Sequence, residues 1–149
     1  MTKSANSVGL LSRRYLFSLV LAPVAIPAGE SKFLRGRLVQ TEGSEPRLRL
    51  ANGQLIRMFG DEPTQGVLSD PRLKDADFEI GGTRKSETEF EIEPIHTRSL
   101  FAYKDGKRLM VTYWCDICYI RTYTPGVCWC CQDWTRLDLK DPDTPDPKP

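Results

Sequence analysis

The sequence predicts an all-β protein: a small barrel of about five strands, followed by a hairpin and a cysteine-rich ribbon. Two observations carry this prediction. Apolar and polar residues alternate in short runs, and turn dipeptides such as Asn52-Gly53 and Gly81-Gly82 separate the runs. The chain has 149 residues, of which 40% are hydrophobic, so it is long enough for one globular domain with peripheral segments.

Five runs form the predicted barrel, at residues 33–39, 47–50, 55–59, 77–80 and 89–93. In most of them every second residue is apolar, which turns one face of a strand to the core and the other to solvent. Asn52-Gly53 favours the tight turn of a hairpin between the second and third runs. Glycine and proline residues punctuate the stretch 60–71, which leaves room for one short helix at about residues 64–69.

The order of three strands, a short helix and two strands resembles the oligonucleotide/oligosaccharide-binding (OB) barrel over about residues 32–96. The resemblance implies a fold without an activity, because such barrels host many unrelated functions. Single-strand binding by this family uses a basic groove with stacking aromatic residues. Here the first three strands carry arginines and the segment of the fifth strand carries glutamates, and we predict that these charges form the solvated face. They are Arg35, Arg37, Arg47, Arg49, Arg57, Glu87, Glu89, Glu91 and Glu93.

The first 28 residues have the three parts of an export signal: a basic start, an apolar run at residues 15–26 and a small-residue exit at Pro27-Ala28-Gly29. Ser12-Arg13-Arg14-Tyr15-Leu16-Phe17 resembles the twin-arginine signal of bacterial export, although Leu16-Phe17 reverses the usual order. The general secretory route accepts such a leader as well. The apolar run is shorter than the about 20 residues of a membrane helix. We therefore predict a protein exported to the periplasm or beyond, with no transmembrane segment once mature.

The predicted chain has four segments: a signal peptide (1–28), the OB-like barrel (30–98), the hairpin with the cysteine ribbon (99–139), and a Pro/Asp-rich tail (140–149) that we expect to be disordered. The full chain carries a formal net charge of +1, and the leader contributes three basic residues and no acidic ones, so the remainder carries −2. A near-neutral domain gives no electrostatic reason to expect nucleic acid as a partner.

All five cysteines lie within residues 115–131, with the spacing C-x2-C, nine residues, C-x-C-C. Two cysteines three positions apart can direct both sulfurs at one ion, and a second pair returning across Thr124-Pro125-Gly126 completes a tetrahedral set. The segment resembles the paired knuckles of zinc ribbons and rubredoxins, although Tyr119-Ile120 replaces the usual glycine after the first pair. We predict the ligands Cys115, Cys118, Cys128 and Cys131, because the last two repeat the x2 spacing, with Cys130 as a substitute.

Three hypotheses account for these cysteines. In the first they bind zinc, with iron or an iron–sulfur centre as the alternative, and folded export would allow loading before the thiols meet oxidant. In the second they form two disulfides in an oxidising periplasm and leave one odd thiol, with no metal. In the third Cys115 and Cys118 are a redox-active pair, which normally opens a helix and here follows a strand. The first hypothesis is preferred.

The remaining candidates are one histidine and a group of aromatic rings. His96 is either a further ligand or, as we predict, a hydrogen-bonded structural residue. The rings either shield a redox centre, form a recognition surface or, as we expect, pack the ribbon. They belong to Trp114, Tyr119, Tyr123, Trp129 and Trp134.

No catalytic motif stands out. The sequence thus predicts an exported, non-catalytic β-domain with a structural metal site, which binds or assembles with a protein or small ligand. The alternative function is that of a periplasmic redox protein.

Overall fold

Nine strands and two short helices make up residues 31–146, the part of the chain that the computed structural model describes. The predicted leader, residues 1–28, lies outside the described residues, as do residues 147–149. The strands are β1 (Ser31–Val39), β2 (Arg47–Arg49), β3 (Leu55–Phe59), β4 (Asp77–Arg84), β5 (Glu89–Ile92), β6 (Leu100–Lys104), β7 (Lys107–Cys115), β8 (Ile120–Thr122) and β9 (Arg136–Lys140). The helices are α1 (Glu62–Leu68) and α2 (His96–Ser99).

The first five strands close a barrel in the order β1-β2-β3-β5-β4, and β4 pairs back onto β1. Neighbours are antiparallel except β3 and β5, which run parallel with Arg57 opposite Glu89. Helix α1 lies in the connection between β3 and β4. The predicted all-β fold, a small barrel of five strands with further strands appended, is confirmed.

Alternating apolar residues from every barrel strand fill the interior. The fully buried ones include Leu38, Leu48, Ile56, Phe78, Ile80 and Phe90. Each such side chain stabilises the fold by about 1.5–3 kcal/mol relative to exposure. Two glycines permit the tight strand contacts of so small a barrel. A Cβ at Gly82 would lie 2.0 Å from the carbonyl oxygen of Glu91, and one at Gly36 would lie 2.5 Å from that of Arg49.

Helix α1 begins two residues before the predicted position because Asp61 caps it. The Asp61 carboxylate accepts a hydrogen bond from the backbone N–H of Thr64 at 2.9 Å, and a proline lies in the first turn. Val67 and Leu68 are buried against the barrel. A 3-10 turn, Pro71–Leu73, follows and leads into β4. Within residues 31–146 no helix is both long and apolar enough to cross a bilayer.

The second half of the chain extends the sheet from β4. Strand β6 pairs with the first half of β4, and the tight turn at Asp105-Gly106 returns the chain as β7. Strand β7 pairs with β6 and then β8 along one edge, and with β9 along the other. The sequence patterns predicted neither α2 nor β9. The nine-residue strand β7 therefore connects the barrel side of the sheet to the cysteines.

Candidate metal centre

The first cysteine pair forms a tight turn at the end of β7. The backbone N–H of Cys118 points at Cys115 Sγ (3.5 Å), and the N–H of Tyr119 donates to the Cys115 carbonyl oxygen at 3.0 Å. Tyr119 has φ +55°, the left-handed conformation for which a knuckle normally uses glycine. Its ring meets Trp114 edge-on, with centroids 6.2 Å apart, which offsets part of the strain.

The second pair repeats this backbone geometry at the same spacing. The N–H of Gln132 donates to the Cys128 carbonyl oxygen at 2.9 Å, as Tyr119 does to Cys115, and Gln132 has φ +64°. Cys131 therefore takes the position in the second turn that Cys118 takes in the first. Cys130, the substitute that the spacing also allowed, lies one residue earlier in this turn.

A small hairpin holds the second turn in place. Val127 and Trp134 form an isolated β-bridge across it. The Gly126 carbonyl oxygen accepts two hydrogen bonds from Thr135, one from its backbone N–H at 3.0 Å and one from its hydroxyl at 2.7 Å. The N–H of Cys128 donates to the Asp133 carbonyl oxygen at 2.7 Å. These hydrogen bonds fix the backbone of the second turn without using the thiols.

The two turns bring four sulfurs together. The Sγ atoms of Cys115, Cys118, Cys128 and Cys131 all lie within 4.8 Å of one another. Four thiolates around one zinc ion, with Zn–S bonds of about 2.3 Å, would be separated by about 3.8 Å, so the group could hold a metal ion. Cys115 Sγ and Cys131 Sγ are 3.5 Å apart, whereas a disulfide requires about 2.05 Å. All five cysteines are free thiols in the structure.

The environment of the sulfurs separates their proton affinities. Backbone N–H groups of Cys131 and Cys130 lower the pKa of Cys128 to about 7. The hydrogen bond with Cys130, followed by burial, raises the pKa of Cys118 well above its ordinary value. The backbone N–H of Asp133 acts to lower the pKa of Cys131, but burial and the hydrogen bond with Cys115 leave it raised. Of these three sulfurs, Cys128 is the one whose thiolate the contacts favour, and a metal ion would displace the protons of the thiols that bind it.

The fifth cysteine and most of the aromatic rings face solvent. Cys130 is exposed, whereas Cys115 and Cys128 are buried. Trp114 is buried, as expected of a ring that packs the ribbon. Trp129 and Trp134 are 71% and 79% exposed, so for them the packing interpretation is wrong. The ribbon therefore presents two large rings to solvent.

His96 lies in α2 and anchors the ribbon from the barrel side. It is buried, and its Nε2 is 2.6 Å from the carbonyl oxygen of Tyr123. A carbonyl oxygen only accepts, so this nitrogen carries the proton. The clustered ligand atoms are the four sulfurs and do not include His96. The contact is that of a hydrogen-bonded structural residue.

Arg121, which no sequence motif singled out, connects β7 to the neighbouring strand β9 and to the tail. Its side chain is only 8% exposed, and it donates from Nη1 to Asp138 at 2.6 Å and to the Thr112 hydroxyl at 2.5 Å. Its Nε donates to Asp146 at 2.8 Å, which binds that part of the tail, and its cation lies over the Trp114 ring. One feature of the sequence could have indicated this buried role: Arg121 is the single charged residue within the β-branched and aromatic stretch 119–123.

Comparison with known proteins finds no match to this chain among protein families, curated proteins or solved structures. The geometry of the site itself is therefore the basis for a function.

Proposed function

We propose that Cys115, Cys118, Cys128 and Cys131 hold one zinc ion in a closed structural site. The observation that carries the proposal is the mutual approach of their sulfurs within 4.8 Å. Four protein ligands complete a tetrahedral zinc shell and leave no position for water or substrate. Such a closed site folds a ribbon and does not catalyse a reaction.

The donor set supports a single soft ion. Thiolates suit zinc, copper(I) and iron, and a tetrahedral S4 set favours zinc or iron. A cluster of several irons would hold the sulfurs farther apart, because metal and sulfide ions would lie between them. One Zn²⁺ with four thiolates carries −2, and nearby backbone N–H groups, those of Cys118 and Cys131 among them, would offset this charge.

The ribbon that zinc would stabilise carries exposed aromatic rings, including Trp129 and Trp134. Exposed aromatic residues of this size are typical of binding surfaces. We therefore propose a binding or assembly module whose partner is a protein or a small ligand. The leader pattern of residues 1–28 supports export, and a twin-arginine route would let zinc bind before the thiols meet oxidant.

Native mass spectrometry with elemental analysis tests the zinc site, on protein purified without chelator or reductant. We expect about one zinc per chain and no visible absorption band. Cys118→Ser should lose the metal. The matched control is Cys130→Ser, which lies in the same cysteine segment and should keep the metal. Metal-free protein with two disulfides would refute the proposal. A visible absorption band that bleaches on reduction would show that the metal is iron and not zinc, and would favour an electron-transfer function.

A further inference from the structure

A concave patch on the outer wall of the barrel, about 520 Å³ in volume, lies between β1 and β2. Three arginines line it, Arg35 and Arg37 from β1 and Arg49 from β2, together with one acid, Asp77. We call these three residues the arginine patch. It belongs to different strands from the cysteine ribbon, so it is independent of the zinc site.

The arginine patch places like charges opposite each other. Arg37 and Arg49 are direct cross-strand partners in the β1–β2 ladder, an arrangement that destabilises a sheet. The Nε of Arg37 donates to Asp77 Oδ1 at 3.3 Å, and this ion pair leaves the two terminal nitrogens of Arg37 for another acceptor. Among the described residues no carboxylate forms an ion pair with Arg35 or Arg49. The patch thus has unused donors and an uncompensated positive charge.

One of these guanidinium groups is held in position without using its donors. The Cζ atom of Arg35 lies 3.5 Å from the centroid of the Tyr103 ring, a cation–π contact. The Tyr103 hydroxyl donates to Glu79 at 3.0 Å, which fixes the ring. Glu79 lies opposite Arg35 across the β1–β4 pair, but its carboxylate is already bound by Arg108 at 3.0 Å. The Arg35 N–H groups therefore stay available to a ligand.

We propose that the arginine patch binds the phosphate group of a phosphate monoester. Three arginines and one aspartate give the patch a net charge of +2. A monoester carries about −1.5 to −2 at neutral pH on three acceptor oxygens, which matches both this charge and the planar forks of guanidinium groups. A carboxylate would neutralise only half of the charge.

The phosphodiester chain of a nucleic acid fits the surface less well. It would need a basic track that continues across the sheet to Arg57 on β3. There Arg57 is already neutralised, because it donates to Glu45 at 2.6 Å and pairs with Glu89 at 3.5 Å. A basic track is therefore interrupted at Arg57, whereas the patch fits one compact dianion.

Calorimetric titration of the full chain with glycerol phosphate, at constant ionic strength, tests the proposal. We expect saturable binding that Arg49→Gln weakens about tenfold or more, the usual effect of losing a hydrogen bond to a charged group. Arg47→Gln is the matched control, because Arg47 lies two residues away on the same strand, carries the same charge and does not line the concavity. Arg49→Gln should leave the thermal midpoint unchanged or raise it, since it removes the like-charge pair with Arg37.

A second arm distinguishes a soluble ligand from a lipid headgroup of the same chemistry. Vesicles containing phosphatidic acid display a monoester, whereas phosphatidylglycerol vesicles of equal charge display a diester. Binding to phosphatidic acid that depends on Arg49 would identify a membrane source, and binding to glycerol phosphate alone a soluble one. The proposal is overturned if neither binds saturably, or if Arg47→Gln and Arg49→Gln weaken binding equally, which would indicate general charge attraction.

Discussion

Arg72 forms a bidentate ion pair with Asp70, in which Nε donates to Oδ1 at 2.9 Å and Nη2 donates to Oδ2 at 2.8 Å. The Asp70 side chain is 2% exposed, so this is a buried carboxylate with a single cationic partner among the described residues. From the same guanidinium, Nη1 donates to the carbonyl oxygen of Thr135 at 3.0 Å. One side chain therefore joins the turn after α1 to the cysteine ribbon, 63 residues later.

Arg72→Lys should lower the free energy of unfolding by about 2–4 kcal/mol, because an ammonium group cannot reach both Asp70 oxygens and Thr135, and a buried carboxylate is left poorly paired. Urea unfolding followed by tryptophan fluorescence measures the loss. The control is Arg37→Lys, whose pair with Asp77 is more than half exposed on both sides. It should cost less than about 1 kcal/mol. Equal losses in the two variants would contradict the role of burial.

The same pair predicts how stability depends on pH. Burial acts to raise the pKa of Asp70, but hydrogen bonds from the Arg72 side chain and backbone hold it below its ordinary value. A lowered folded-state pKa adds stability above the unfolded pKa of about 3.9, and this contribution is lost as pH falls through the folded value. The stability difference between wild type and Arg72→Lys should therefore shrink between pH 6 and pH 3. Urea midpoints of both proteins at the two pH values test this.

Local patterns in the sequence predicted the barrel strands and the hairpin turns, because alternation and Asn52-Gly53 act over a few residues. They did not predict β9, whose Leu137 and Leu139 alternate but stand just before a proline-rich tail. The link from Arg72 to Thr135 joins distant residues, so no local pattern reveals it. The spacing of the cysteines predicted Cys131 as a ligand, but the matching left-handed conformations of Tyr119 and Gln132 are visible only in the structure.

Gln132 holds a left-handed backbone conformation that costs most residues about 1–2 kcal/mol. Gln132→Gly should relieve this strain and raise the thermal midpoint. Gln132→Ala is the matched control, because it also removes the side-chain hydrogen bond to the Trp129 carbonyl oxygen but keeps a Cβ. We expect glycine to be about 1 kcal/mol more stable than alanine in thermal unfolding. If alanine equals glycine, the second turn does not adopt the geometry of the first.

His96 provides a test that separates anchoring of the ribbon from metal binding. His96→Ala removes the donor to the Tyr123 carbonyl oxygen and should lower the free energy of unfolding by about 1–2 kcal/mol. His96→Gln places an amide N–H near the position of Nε2 and should recover part of that loss. Urea unfolding measures both effects.

Both histidine variants should still bind about one zinc per chain by elemental analysis, because the four clustered donors are sulfurs alone. Cys130→Ser serves as a zinc-retaining reference whose substitution lies in the ribbon itself. Loss of zinc from His96→Ala and His96→Gln, with Cys130→Ser still loaded, would make His96 a ligand and remove one cysteine from the set. Retained zinc with lowered stability would mean that His96 acts through the backbone of Tyr123, holding the ribbon against α2 while the sulfurs alone coordinate the ion.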